Sequence, residues 1–376
     1  MKMTAAVMYE QGLPMPYRQT QPLRIETVDL EGPGKDEVLV EVRAAGLCHS
    51  DLSVIKGMRK RALPVVGGHE GAGIVREVGS GVHTLSPGDH VIMSVATGCG
   101  HCSTCLRGRP ALCPNMSAAR SKGQLPNGER RLSVNGQPVH HYSGISSFAQ
   151  YAVCVPSSLI KIDPAIPLDV AALYGCAVVT GAGAVFNTAQ IRPGANVAIF
   201  GLGGVGLNAV MAARIAGASR IIGVDILEEK FALARELGCT DTILATDPTL
   251  VEQVRELTNG GANHVFEISG AQSAIASAYD VTCKGGNIIL VGVGSADARY
   301  EYPHTMLVSE EKSLLGSFMG GGIGERDIPT YLRFMKDGRM PVDKLKSGYM
   351  SFEDLNNALD LLHAGGVVRQ VLLPHG

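Results

Sequence analysis

The chain has 376 residues, 45% of them hydrophobic and 18% charged, with a formal net charge of -2. It is too long for one ordinary core and too apolar for extensive disorder, so two packed domains are expected. The mildly acidic balance gives no global electrostatic reason to bind nucleic acid or an anionic membrane, and the local basic run at 56–61 (Lys56, Arg59, Lys60, Arg61) reads as a solvated loop.

Residues 1–16 contain no apolar stretch long enough for a secretory leader and reach Glu10 early. The longest mostly apolar run, 170–186, falls short of the about 20 residues a membrane-spanning helix needs, and is read as buried interior. Nine cysteines are present, four of them in a C-x-x-C-x-x-C-x7-C cluster. That pattern suggests metal thiolates in a reducing compartment, with the cytoplasm as the default, rather than a disulfide framework.

In chain order, Val38, Val40 and Val42 are expected to alternate with charged or exposed positions at the period of a half-buried strand. Residues 71–78, 89–93 and 147–153 are further strand candidates, with a Ser-Pro-Gly-Asp turn at 86–89. The first part of the chain therefore reads as mostly β. After Pro193 strand-like runs (197–200, 220–224, 242–244, 264–268, 287–293) alternate with helix-like runs (205–216, 228–237, 250–257, 273–283). This alternation predicts a doubly wound parallel sheet. A strand-like run at 314–319, a glycine cluster at 320–322, two helical patterns and a last strand at 367–373 follow. Residues from about 318 onward are expected to return to the first domain, making the α/β segment an insertion.

The first strand-to-helix turn of that segment is Gly201-Leu202-Gly203-Gly204-Val205-Gly206. Gly201 suits the tight turn, Gly203 the close approach of a pyrophosphate, and Gly206 close helix-on-strand packing. The helix N-terminus adds N–H groups and a positive dipole end. Asp225 closes the second strand, where a carboxylate accepts from a ribose and repels a 2′-phosphate. The expected cofactor is NAD rather than NADP.

Cys99, Cys102, Cys105 and Cys113 can close a tetrahedral zinc site without an open position, which is the form of a structural site. Cys48, His69 and Cys176 are dispersed. Singly they read as small buried hydrophobes and a structural histidine, and spacing alone does not unite them. A Cys2His set with water in the fourth position is nevertheless what a catalytic zinc requires.

With residues 46–51, 67–73, the four-cysteine loop, His140-His141-Tyr142, Gly175-Cys176, the glycine loop with Asp225, and Val368-Arg369 in view, the chain resembles a zinc-dependent medium-chain alcohol dehydrogenase over nearly its whole length. The resemblance implies an NAD-binding Rossmann domain (178–317) inserted into a mostly β, GroES-like catalytic domain (1–177 and 318–376). It implies that Cys48, His69 and Cys176 hold a catalytic zinc, with Glu70 close behind and Asp51 orienting His69. Ser50 would take the proton from the alcohol. Lys230 would meet the adenosine ribose, His49 and Arg369 the pyrophosphate, and Thr180, Val205 and Val293 the nicotinamide. Val95, Tyr142, Val293 and Phe318 would line the alcohol pocket. Two zinc ions per chain, a small alcohol or aldehyde as partner, and a homodimer, with a tetramer as the alternative, complete what the resemblance implies.

Two departures stand out. Many relatives carry a histidine two or three residues after the relay hydroxyl, where this chain has Leu52 and Ser53. Relatives acting on the glutathione adduct of formaldehyde need anion-binding side chains near the entrance, for which Arg120 and Lys122 are candidates. The mostly apolar pocket set favours medium-chain aliphatic, allylic or benzylic primary alcohols. The alternatives are an S-(hydroxymethyl)glutathione dehydrogenase and, in another class, a noncatalytic zinc-binding scaffold of the same fold.

Overall fold

The computed structural model describes residues 1–294 and 297–376, and these divide into two compact units. The first comprises Met1–Cys176, Gly322–Pro329 and Val342–Gly376; the second comprises Ala177–Gly321 and Thr330–Pro341. The second is thus inserted in the chain of the first. Residues 318–321 and 330–341 group with it.

The first unit is built on two β systems. A closed barrel joins Lys2–Met8, Leu23–Leu30, Leu132–Val134, Gln137–His141 and Val65–Val66. A second sheet runs in the order Leu159–Ile162, His90–Met93, Gly71–Val78, Val38–Gly46, Arg369–Leu372 and Lys346–Met350, with Tyr151–Cys154 also pairing with Val38–Gly46. Val38–Gly46 is buried on both faces except at Arg43, and its three pairings make it the hub that delivers the chain to Cys48. The expected strand at 147–153 is shorter and later, at Tyr151–Cys154. Strands Lys2–Met8 and Leu23–Leu30 lie outside the expected set. In Leu23–Leu30 the inward parity slips: Leu23 packs in one core cluster, whereas Val28 and Leu30 pack in another, so no single period of two runs through it.

The second unit holds six parallel strands in the order third, second, first, fourth, fifth, sixth: Asp241–Leu244, Arg220–Asp225, Asn196–Phe200, Ala262–Glu267, Thr282–Leu290, Ser313–Gly316. This is the doubly wound arrangement, whose ligand crevice lies at the carboxyl ends of the strands where the order reverses. One face of the sheet packs Ala198, Phe200, Ile222, Val224, Val265 and Ile288 against the helices Leu250–Thr258 and Gln272–Val281. Residues 170–185 are buried throughout, as expected of interior. No single helix among the described residues is long and apolar enough to cross a membrane.

Candidate active site and metal centres

Cys48, His69 and Cys176 are brought together within the first unit, each buried, with their ligand atoms within 4.8 Å of one another. Cys48 ends the hub strand's connection and caps the helix His49–Ile55. His69 lies between Val65–Val66 and Gly71–Val78, and Cys176 follows the short helical turn Ala172–Gly175. Asp51 holds the set together from one carboxylate: Oδ2 accepts from the Cys48 backbone N–H at 3.1 Å and Oδ1 lies 2.8 Å from His69 Nδ1. With Nδ1–H committed there, the Nε2 lone pair faces the two sulfurs, and Nε2 is buried with no hydrogen-bond partner. An orphaned imidazole nitrogen beside two thiols fits a zinc ion with one coordination position left open.

The electrostatics around the cluster are set by burial and one cation. Cys48 is pushed well below the ordinary thiol range, first by the hydrogen bond from Cys176 and then, against the cost of burial, by Arg369 and His69. Arg369 is itself buried, donates to the Leu47 carbonyl at 3.1 Å and lies 3.8 Å from Glu70. Burial pushes the Glu70 carboxyl up to about 7, with Arg369 acting in the opposite direction. Ser50 is half-buried on the first turn of the capped helix, its N–H directed at Cys48 Sγ at 3.5 Å. Ser53, about one turn further on, donates its hydroxyl to the His49 carbonyl at 2.8 Å.

Cys99, Cys102, Cys105 and Cys113 form a second set within the same 4.8 Å limit. Cys102 Sγ lies 3.4 Å from Cys105 Sγ and 3.7 Å from Cys113 Sγ. Four sulfurs around one zinc at Zn–S distances of about 2.3 Å sit about 3.8 Å apart, so the loop fits a closed tetrahedral site. Cys99 is pulled down to about 6, chiefly by the His101 backbone N–H, the condition of a ready thiolate.

In the second unit, Gly201 has φ 98°, and a Cβ at Gly206 would stand 1.8 Å from the Gly201 carbonyl oxygen, so no other residue fits there. Nothing lies within 4 Å of where a Cβ at Gly203 would be, at the start of the helix Gly204–Ile215. That open N-terminus fits a dinucleotide's phosphates. Asp225 is buried at the end of its strand, accepts from the Leu202 and Leu227 N–H groups at 2.7 and 3.1 Å, and pairs with Lys230 at 3.2 Å. Val205 is half-buried, and the Thr180 hydroxyl lies 3.7 Å from the Met319 sulfur.

Two family models match, "Alcohol dehydrogenase GroES-like domain" over residues 34–164 and "Zinc-binding dehydrogenase" over 204–337. The chain is 39% identical to an S-(hydroxymethyl)glutathione dehydrogenase of Synechocystis sp., over 99% of this chain and 100% of the relative. It is 37% identical to one of Paracoccus denitrificans, with the same coverage. This chain belongs to the medium-chain zinc-binding dehydrogenase family. Among solved structures, a zinc-binding-domain alcohol dehydrogenase from Burkholderia ambifaria aligns with TM-score 0.93 at 36% identity over all of both chains. The benzyl alcohol dehydrogenase of Acinetobacter calcoaceticus aligns with TM-score 0.92 at 31% identity over 99% of both chains.

The medium-chain dehydrogenase described here is therefore a zinc- and NAD-dependent oxidoreductase that moves hydride between alcohol and aldehyde, with a GroES-like unit and an inserted Rossmann unit. Of the expected pocket residues, Tyr142 is buried edge-on to the His69 ring at 5.8 Å. Val95 packs on the first unit's core, and Val293 and Phe318 are about half exposed on the second unit. Arg120 is turned inward, Nη2 donating to the Val95 carbonyl at 2.8 Å and Nε buried without a partner. Arg61, expected from the sequence to belong to a solvated loop, sets its guanidinium over Tyr142. No local spacing marks it, since 81 residues separate the two.

Proposed function

We propose that this dehydrogenase oxidises the hydroxymethyl adduct of a thiol, with S-(hydroxymethyl)glutathione as the model substrate and NAD as acceptor. The observation that carries this reading is the end-to-end similarity, at 37 and 39% identity, to dehydrogenases named for that substrate. When bound, zinc would supply a Lewis acid for the alcohol oxygen and NAD the hydride acceptor. Cys48, His69 and Cys176 would hold the ion. Asp51 keeps the proton on His69 Nδ1, so that the lone pair stays on Nε2. Ser50 accepts the alcohol proton, Glu70 and Arg369 balance charge behind the sulfurs, and Asp225 takes the adenosine ribose while the helix at Gly204 takes the phosphates. Thr180, Val205 and Val293 bound the nicotinamide. The family expectation of a homodimer belongs to the same proposal and is read from the mass of the purified protein in solution.

A second reading, a benzylic alcohol dehydrogenase, is favoured by the likeness to the Acinetobacter calcoaceticus enzyme and by the apolar character of Val95 and Phe318. NADH formation separates the two. Formaldehyde oxidation that depends on added glutathione, at a kcat/KM above that for benzyl alcohol and hexanol, is the expected result; glutathione-independent turnover with benzyl alcohol preferred would replace the first reading by the second.

A further inference from the structure

The basic run at 59–61 is held in place. Gln11 Nε2 donates to the Val54 and Arg59 carbonyls at 2.6 and 2.8 Å, its Oε1 accepts from the Arg61 N–H at 3.1 Å, and the Gly12 N–H donates to the Ile55 carbonyl at 2.7 Å. The run also divides: Lys56 leaves it to meet His363 Nδ1 at 2.8 Å. Arg61 turns toward the metal cluster and sets its guanidinium 5.6 Å from the Tyr142 ring centroid, on the ring that stands edge-on to His69. Arg59 is half-buried beside it, and the charges of both arginines act on the Tyr142 phenol against the burial that raises it.

These cations have no anion of their own. Among the described residues no carboxylate lies within 4 Å of Arg59, Lys60 or Arg61, and the protein acceptor of Arg61 Nη1 is the neutral Lys60 carbonyl at 3.2 Å. Asp51 in the site is already committed to His69 and the Cys48 N–H. Arg59 and Arg61 therefore stand beside Tyr142 as cations without a protein carboxylate among the described residues to pair with. A guanidinium set over an aromatic ring that itself stands edge-on to His69 is a docking point for a planar anion.

We infer that Arg61, supported by Arg59, is the specificity residue for a carboxylate on the substrate, held by the Gln11 clamp over Tyr142. The preferred substrates are alcohols or hydroxymethyl thioethers that carry a free carboxylate within reach of the hydroxymethyl carbon. Arg120, buried against Val95, does not supply this charge. The inference rests on the proposed thiol-adduct reading for the natural substrate class, but its test does not.

The test compares 4-(hydroxymethyl)benzoate with benzyl alcohol, a pair differing only by the carboxylate, using the zinc-loaded full-length enzyme and NAD. The wild type is expected to favour the carboxylate-bearing alcohol in kcat/KM, mainly through KM, with the preference shrinking as ionic strength rises. Arg61→Gln is expected to lower the ratio of the two kcat/KM values about tenfold, the size of one charge-assisted hydrogen bond, and Arg61→Lys to restore part of it. An unchanged ratio in Arg61→Gln, or a wild type with no preference, overturns the inference. The same variants are then assayed with formaldehyde and either glutathione or its diethyl ester. Failure of the wild type to use either adduct removes the thiol-adduct reading alone. A benzoate preference abolished by Arg61→Gln upholds the arginine site whatever that outcome.

Discussion

At the scale of single residues the site depends on Asp51, which orients His69 and anchors the Cys48 backbone with the two oxygens of one carboxylate. Asp51→Asn keeps the size but offers an amide whose NH2 cannot accept from His69 Nδ1–H and whose single oxygen cannot serve both donors. Zinc affinity at the Cys48 site is expected to fall by roughly 10- to 100-fold, with the four-cysteine zinc retained. Stepwise removal by a chelator, followed by metal analysis, reads this directly; loss of both ions at the same chelator concentration would refute it. The same residue illustrates what can be read without coordinates. Its place three after Cys48 makes a helix-capping partner legible, because the capping distance is local. Its contact with His69, 18 residues on, was legible only through resemblance. Arg61 shows the opposite case: a run of charges reads as solvated until a ring from 81 residues away is found beneath it.

At the scale of elements the glycine loop is the sharpest constraint. Gly206→Ala places a methyl carbon where the Gly201 carbonyl oxygen stands, and the relief must come from moving the helix start away from the strand. Overpacking of this kind costs about 1–3 kcal/mol. The expected outcome is a rise of about tenfold or more in the Kd for NADH, measured by fluorescence titration, with both zinc ions still bound. An unchanged Kd would show that the loop does not seat the dinucleotide. Most elements of this unit were legible: the strand and helix of Asn196–Phe200 and Gly204–Ile215 differ from the expected bounds by one residue at most. Fully buried parallel strands are continuous apolar runs bounded by turns, and they stand out. The barrel strands Lys2–Met8 and Leu23–Leu30 did not, because one is alanine-rich and apolar on both faces while the other changes inward parity part-way.

For the whole molecule, acid sensitivity is the measurable consequence of how the first unit buries its polar groups. His141 is buried and accepts the Arg131 N–H at Nε2, 3.1 Å away, so burial first, with nearby arginine charge, lowers it to about 3. In the unfolded chain it titrates near 6.5. A base whose folded value is depressed contributes stability that is fully present above 6.5 and is lost as pH falls from 6.5 toward 3, by about 3 kcal/mol at pH 4 on this group alone. Glu37 is held below the ordinary carboxylate range, against its burial, by Arg131, Asn127 and the Gly34 N–H. Urea unfolding between pH 7 and 4.5 is expected to show a flatter pH dependence in His141→Gln than in the wild type; equal slopes would assign the acid sensitivity elsewhere. The sequence by itself determined the parts whose partners are close along the chain. The four cysteines within fifteen residues must share one loop, and a glycine turn between an apolar strand and a helix must present N–H groups. Chain geometry over such spans leaves few alternatives. Only the tertiary structure decided the rest: that Cys48, His69 and Cys176 meet, that Arg369 lies buried behind them against Glu70, and that Arg61 covers Tyr142. Those contacts are set by sheet register and packing across tens to hundreds of residues, where local spacing carries no information about which side chains will face one another.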